Sequence, residues 1–298
     1  MKNPAGLLLA VAAFATAGVA AAQEPPAGAA SAPIVVEGQR DRDAQIREFI
    51  EALPPTLSSG HYSRFEEGAC PALLGVPPHQ RMIAAQRIRA VAAAGGVPVA
   101  GAKCLTNVLV IVTPDKKRLI AQLAKQYPSY FSDMSKREIS ALVKGDGPSA
   151  LWHRKDMYRS DGRARFAAGS VDYLDRRSTE GASRLRDLAH YAFAGSILVV
   201  ESAALDGLTT TQLADYAAMR AFTGADPQRL PEGKVSTILT VLETPMGAEV
   251  PISLTAWDIA FLKSFYKSSP NSFAPGQRGQ IRARMKKELD AASGGAAG

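Results

Sequence analysis

Histidines, cysteines and neighbouring carboxylates are the side chains of this 298-residue chain that could cut, carry or hold something. His61, His79, His153 and His190 are scattered, with no pair four apart to set two imidazoles on one helix face for a metal. None has an evident triad partner, and no serine lies in a nucleophile-elbow pattern. Glu66 and Glu67 are adjacent and Asp206 precedes Asp215. Closeness along the chain does not by itself produce the few-ångström convergence that two hydrolytic acids need. No glycine-rich phosphate loop follows a strand, because Gly95-Gly96 ends a helix rather than starting one. These residues predict no catalytic set, no metal site and no cofactor.

Cys70 and Cys104 are the only thiols. Which chemistry they do depends on compartment, and the first 22 residues address that. Lys2 supplies a positive start, residues 6–19 form an apolar run, and Ala20-Ala21-Ala22 precede Gln23 as a small-residue cleavage site. The run is too short and too rich in alanine for a spanning helix. We therefore expect residues 1–22 to be a cleaved signal peptide and the mature protein to be periplasmic or extracellular. In such an oxidising place an isolated pair bridges, and closing this loop stabilises by roughly 3–4 kcal/mol. No cysteine near the cleavage site suggests a lipid anchor, and no later run is long enough to cross a membrane.

Residues 23–40, rich in alanine, proline and glycine, read as a flexible tether. Residues 41–291 then form a single globular domain, and 292–298 read as a disordered tail. Of the 35 basic residues only Lys2 lies in the leader, so the mature chain carries 34 against 28 acidic ones. This surplus favours weak association with anionic envelope surfaces, and export argues against nucleic acid as a partner.

Hydrophobic spacing supplies the elements that must position any site. A helix over 41–53 carries Ile46, Phe49, Ile50 and Leu53 inward, and Pro54-Pro55 stops it. A second, over 78–94, is predicted to bury Met82, Ile83, Ile88 and Val91 before Gly95-Gly96. Residues 107–113 read as a strand buried on both faces, followed by a helix from Pro114-Asp115 to about residue 126. Ser135 to Glu138 is a capping box for a helix ending at Gly145. Between 148 and 177, Trp152, Met157, Tyr158, Val171 and Tyr173 suggest a strand pair joined by a loop. Residues 191–201 read as a second central strand, and 209–222 as a threonine-capped helix with Leu213, Tyr216, Ala217 and Arg220 along one side. Residues 236–242 fit no pattern. Thr255 to Asp258 caps another helix, and a last one, about 275–291, carries Arg278, Arg282, Arg284, Lys286 and Lys287. Strands interleaved with helices predict an α/β fold, with mixed α+β as the alternative: one mixed sheet with helices packed on it and one disulfide.

The order of a buried strand, a threonine-capped helix, a short segment and then Thr255-Ala256-Trp257-Asp258-Ile259-Ala260-Phe261-Leu262 with Phe265-Tyr266 resembles the C-terminal part of zincin-type metallopeptidases. The chain also resembles uncharacterised secreted proteins of alphaproteobacteria. The zincin resemblance would make the capped helix the one bearing the zinc ligands. Gln212, Leu213 and Tyr216 would stand where the first ligand, the general base and the second ligand belong. An amide, an aliphatic chain and a phenol cannot do that work. The resemblance therefore implies a decayed peptidase-like scaffold.

The reading that follows is a non-enzymatic exported binding or accessory protein. Its partner would be a peptide, a protein or an envelope polymer, with Gln212, Asp215 and Tyr216 as ligand-binding residues. The alternative is a carboxylate-based hydrolase of an envelope polymer or peptide, which requires Glu201, Asp206 and Asp215 to converge.

Overall fold

The computed structural model describes residues 39–54, 56, 60–159, 189–230, 235–245 and 247–294. The expected leader, nearly all of the tether, the stretch with Val171 and Tyr173, and the final four residues lie outside them. Gly38–Gly298 forms one compact unit.

Aliphatic runs set the sheet. Pro71–Leu74 (β1), Val108–Thr113 (β2), Ser149–Arg159 (β3) and Ala189–Glu201 (β4) line up in the order β1-β2-β4-β3. The first three neighbours in that order are parallel, and β3 runs antiparallel to β4, so the sheet is mixed as expected. Alternate residues leave opposite faces. Val108, Val110, Val112, Leu198 and Val200 enter the larger core. Leu109, Ile111, Ile197 and Val199 join a second cluster with Trp152 and Ile120. Both faces of β2 and β4 are therefore covered, which is why these strands read as unbroken apolar runs.

The first face is covered by α2 (Pro78–Gly95) and α5 (Thr210–Thr223), the second by α3 (Lys116–Gln126) and α4 (Lys136–Lys144). Three layers result. Outside them, α1 (Gln39–Ile50), α6 (Ala256–Tyr266) and α7 (Ala274–Gly294) extend the first core through Phe49, Phe261, Ile281 and Met285.

Local chemistry fixes where helices start and stop. Ser135 with Glu138, Thr209 with Gln212 and Thr255 with Asp258 each form a reciprocal capping box. Gly96 and Gly224 end α2 and α5 with φ of 77° and 69°, a left-handed turn that costs glycine no steric clash.

Two expectations are corrected, and one unassigned segment gains a structure. Met82 and Ile83 face outward, 61% and 49% exposed. The inner face of α2 is Ala84, Ile88, Val91, Ala92 and Gly95, whose small residues admit a close neighbour. Residues 236–242 contain a 3-10 turn, Ile238–Thr240, held by Thr237, which donates to Asp258 Oδ1 at 2.5 Å. Asp258 Oδ2 takes the Ile238 amide at 3.0 Å, so this segment is ordered by a buried carboxylate that hydrophobic periodicity cannot register. Ser293 and Gly294 still belong to α7 rather than to a tail.

The Cys70–Cys104 disulfide is present. It ties the residue before β1 to the segment leading into β2. Arg89 of α2 reaches the same place, donating from Nη1 to the Ala100 carbonyl at 2.7 Å and from Nη2 to Cys104 Sγ at 3.0 Å.

Candidate functional site

Helix α5 lies inside the core, and residues 212 to 223 are all buried. Its sequence has apolar or small residues on most sides, so it is packed all round rather than amphipathic. Gln212 closes its own capping box and donates from Nε2 to the Pro251 carbonyl at 2.8 Å. Asp215 is fully enclosed and accepts from Arg87, Ser253 Oγ and the Leu254 amide. The Tyr216 hydroxyl meets Ser149 Oγ at 2.7 Å, and burial pushes its pKa up. The residues expected to line a groove are therefore used up in joining α5 to its neighbours. The three acids of the hydrolase reading part company as well: Asp206 is exposed, Glu201 is half-buried at the end of β4, and Asp215 is in the core.

A cleft opens one turn further along α5. It occupies about 470 Å³ where β2 and β4 end and β3 begins. One wall is the stripe Met134, Glu138, Ala141 and Leu142 from α4 and its approach. The floor is Ser149, Ala150, Leu151 and His153 of β3, and the far wall is Arg220, Gly224, Asp226 and Gln228 beyond α5, with Glu243. Crevices outside the carboxyl ends of strands are where open α/β sheets hold ligands.

Polar groups in the cleft are fixed in different ways. Lys116 is buried just after β2 and donates to the carbonyls of Gly145 at 2.8 Å and Gly147 at 2.5 Å, with its pKa lowered chiefly by burial. His153 stacks on Phe193 at 3.7 Å, and its Nε2 donates to the Ala221 carbonyl at 2.9 Å. Burial holds that imidazole neutral, with its pKa pulled down to about 3. Glu243 is pushed above the ordinary carboxylate range by burial, while Arg220 pulls it back and Asp226 adds to the rise. Glu138 sits low because the Ser135 hydroxyl and amide donate to it.

Periodicity alone does not reveal this cleft. Arg220, a charged residue on a mostly apolar helix that also carries Asp215, is the sequence signal for it, and the partners on β3 and around residue 226 become neighbours only through the fold.

A second polar cluster lies at the start of β4. His190 Nε2 meets Glu66 Oε1 at 2.7 Å, 124 residues away in sequence, and His190 Nδ1 is buried without a partner. Burial pulls the Glu66 pKa upward, but the bond from His190 and the charges of His190 and Arg64 together outweigh it and leave the carboxyl low. Adjacent Glu67 turns to another partner, accepting from the Tyr158 hydroxyl at 2.9 Å. The neighbouring acids thus serve two separate contacts.

Among the described residues no three His, Cys, Asp or Glu side chains gather as a metal site, and no helix is long and apolar enough to cross a membrane. Of the basic residues on α7, Lys286 pairs with Asp43 at 3.1 Å and Arg278 donates to the Tyr62 hydroxyl at 3.2 Å. No protein-family model, curated protein or solved structure matches this chain.

Proposed function

We propose that this is an exported binding or accessory protein, periplasmic or released, that holds part of a peptide, protein or envelope polymer in the cleft beside β3. The observation that carries the reading is the cleft itself, a sizeable hollow at the strand ends whose polar groups are held in place by internal bonds. Ser149 is fixed by Tyr216, His153 by Ala221 and Lys116 by two carbonyls. Preorganised polar groups around a concavity favour binding. Export is supported by the leader-like first 22 residues and by a disulfide of the kind that persists in oxidising compartments.

The test is a thermal-shift screen of the mature chain against peptides and glycan fragments, repeated with Ala141→Trp. Ala141 is exposed on α4 and lines the cleft, so the indole would fill it without entering the core. Saturable binding that this substitution abolishes is the expected result. Binding indifferent to it would sink the assignment. N-terminal sequencing of the exported form should begin at Gln23, and retention of residues 1–22 would overturn the leader.

One observation favours a second reading, hydrolysis by carboxylates. Glu243 and Asp226 line the same cleft, and burial raises the Glu243 pKa while Asp226 remains part-exposed, an asymmetry of the kind an acid and a base need. Turnover of a peptide or glycan that Glu243→Gln abolishes would establish it. A substrate that binds without being consumed rules it out.

A further inference from the structure

The nature of the ligand is legible in Arg220, on the reading that the cleft is the binding site. Arg220 lies in the last turn of α5, its side chain is only 8% exposed, and it lines the cleft. Its Nε is buried without a hydrogen-bond partner. Its nearest carboxylate oxygen, Asp226 Oδ1, is 3.7 Å from Nη1, beyond hydrogen-bond reach. That oxygen already accepts the Gln228 amide at 3.2 Å. The Tyr216 ring, 5.8 Å from the guanidinium carbon, offers only a cation–π contact.

Arg87 shows what the same group does elsewhere in this protein. It is more exposed, yet its Nε and Nη2 form a two-pronged contact with both oxygens of Asp215. A guanidinium is charged at every working pH and cannot shed its proton to suit burial. Arg220 is therefore a permanently charged donor, enclosed at a cavity wall and lacking an acceptor among the described residues. Of the other cations on these walls, the Lys116 ammonium is bonded to two carbonyls, and Arg229 is part-exposed and faces Glu51 at 3.9 Å.

We propose that the cleft binds a single oxyanion group, carboxylate or phosphate, on the Arg220 guanidinium. Glu138, Asp226 and Glu243 on the same walls repel a polyanion, so the group is one charged end of an otherwise polar ligand.

The experiment uses the mature chain, residues 23–298, titrated calorimetrically with N-acetylglycine, a monocarboxylate, and with inorganic phosphate. Variants are Arg220→Met, Arg220→Lys, Ala141→Trp and, as a control away from the cleft, Arg284→Gln on the exposed side of α7. We expect one probe to saturate one site per chain. Arg220→Met and Ala141→Trp should each weaken it about tenfold or more, Arg220→Lys less, and Arg284→Gln little. Which probe saturates tells a carboxylate site from a phosphate site. A merely structural Arg220 would shift the melting temperature of Arg220→Met while leaving anion affinity as in the parent, whereas a binding arginine lowers the affinity and is partly rescued by Arg220→Lys. If Arg220→Met fails to fold, the oxyanion site falls, since the arginine then holds the fold. The inference also falls if neither anion saturates, or if either binds Arg220→Met as well as the parent. When neutral peptides or glycans bind in an Ala141→Trp-sensitive way but neither anion does, the cleft survives as a binding site and only the oxyanion is wrong.

Discussion

Asp215, wholly enclosed in α5, is gripped by Arg87 of α2, with Nε on Oδ1 at 2.6 Å and Nη2 on Oδ2 at 2.9 Å. Ser253 Oγ and the Leu254 amide complete the shell at 3.0 Å each. This one carboxylate joins two helices and the loop before α6. Arg87→Ala leaves a buried charge short of its cation and should cost about 3 kcal/mol. Asp215→Asn keeps an acceptor and leaves a partly exposed arginine able to reach water, so it should cost about half as much. Urea denaturation of the two variants decides the order, and equal losses would contradict the asymmetry.

Gly95 closes α2 against α6. A Cβ built there would lie 2.3 Å from Leu262 Cδ2 and 2.4 Å from its Cγ. Alanine in a helix ordinarily gains about 1 kcal/mol over glycine. Here Gly95→Ala should instead destabilise by about 1–3 kcal/mol, because Leu262 is itself buried and has little room to yield. Combined with Leu262→Ala, the loss should be smaller than the two single losses added, which thermal melts of the set will show.

Acid sensitivity should trace in part to His153. Its folded pKa is pulled to about 3 from an ordinary 6.5, so above pH 6.5 the imidazole is neutral in both states and contributes no pH dependence. Below that value the unfolded chain takes up a proton that the folded chain refuses, and stability falls as pH drops towards 3. The slope for an enclosed imidazole is about 1.4 kcal/mol per pH unit, and the partly exposed edge of this ring makes it shallower. His153→Gln keeps a donor for the Ala221 carbonyl and should flatten the decline between about pH 6 and 4. An unchanged slope in urea melts across that range would be the contrary result.

Replacing both cysteines with serine should cost roughly 3–4 kcal/mol, from reopening the loop that the bridge closes in the unfolded chain. Denaturant midpoints of the double variant and of the reduced parent should agree.

Much of the framework was legible in the residues. The three capped helix starts, the aliphatic runs of β2 and β4 and the pairing of two isolated cysteines each rest on interactions local in sequence or on simple elimination. What escaped depended on contacts between distant segments. Glu66 and His190 meet across 124 positions. Met82 and Ile83 were assigned inward by a periodicity that alanine-rich α2 barely expresses, because its packing face was built from small residues. The binding region was sought in Gln212, Asp215 and Tyr216, polar residues on a helix, but tertiary structure uses each of them to anchor α5. Arg220, one turn past Tyr216, passed as a member of an apolar side, and only the start of β3 beside it turns that position into a cavity wall.

The outer position of β3 has a bearing on how the protein fares when its molecules crowd together. An 11-residue strand at the border of a sheet is a natural seed for cross-molecular pairing. Asp133 Oδ2 already takes the Lys155 amide at 3.0 Å, while exposed Arg154, Lys155 and Asp156 set successive charges along the strand. A neighbouring molecule sliding alongside would find that hydrogen-bond donor occupied and its own charges opposed. Fibril growth from this border is therefore disfavoured, and Asp133→Ala would be the simplest way to unlock it.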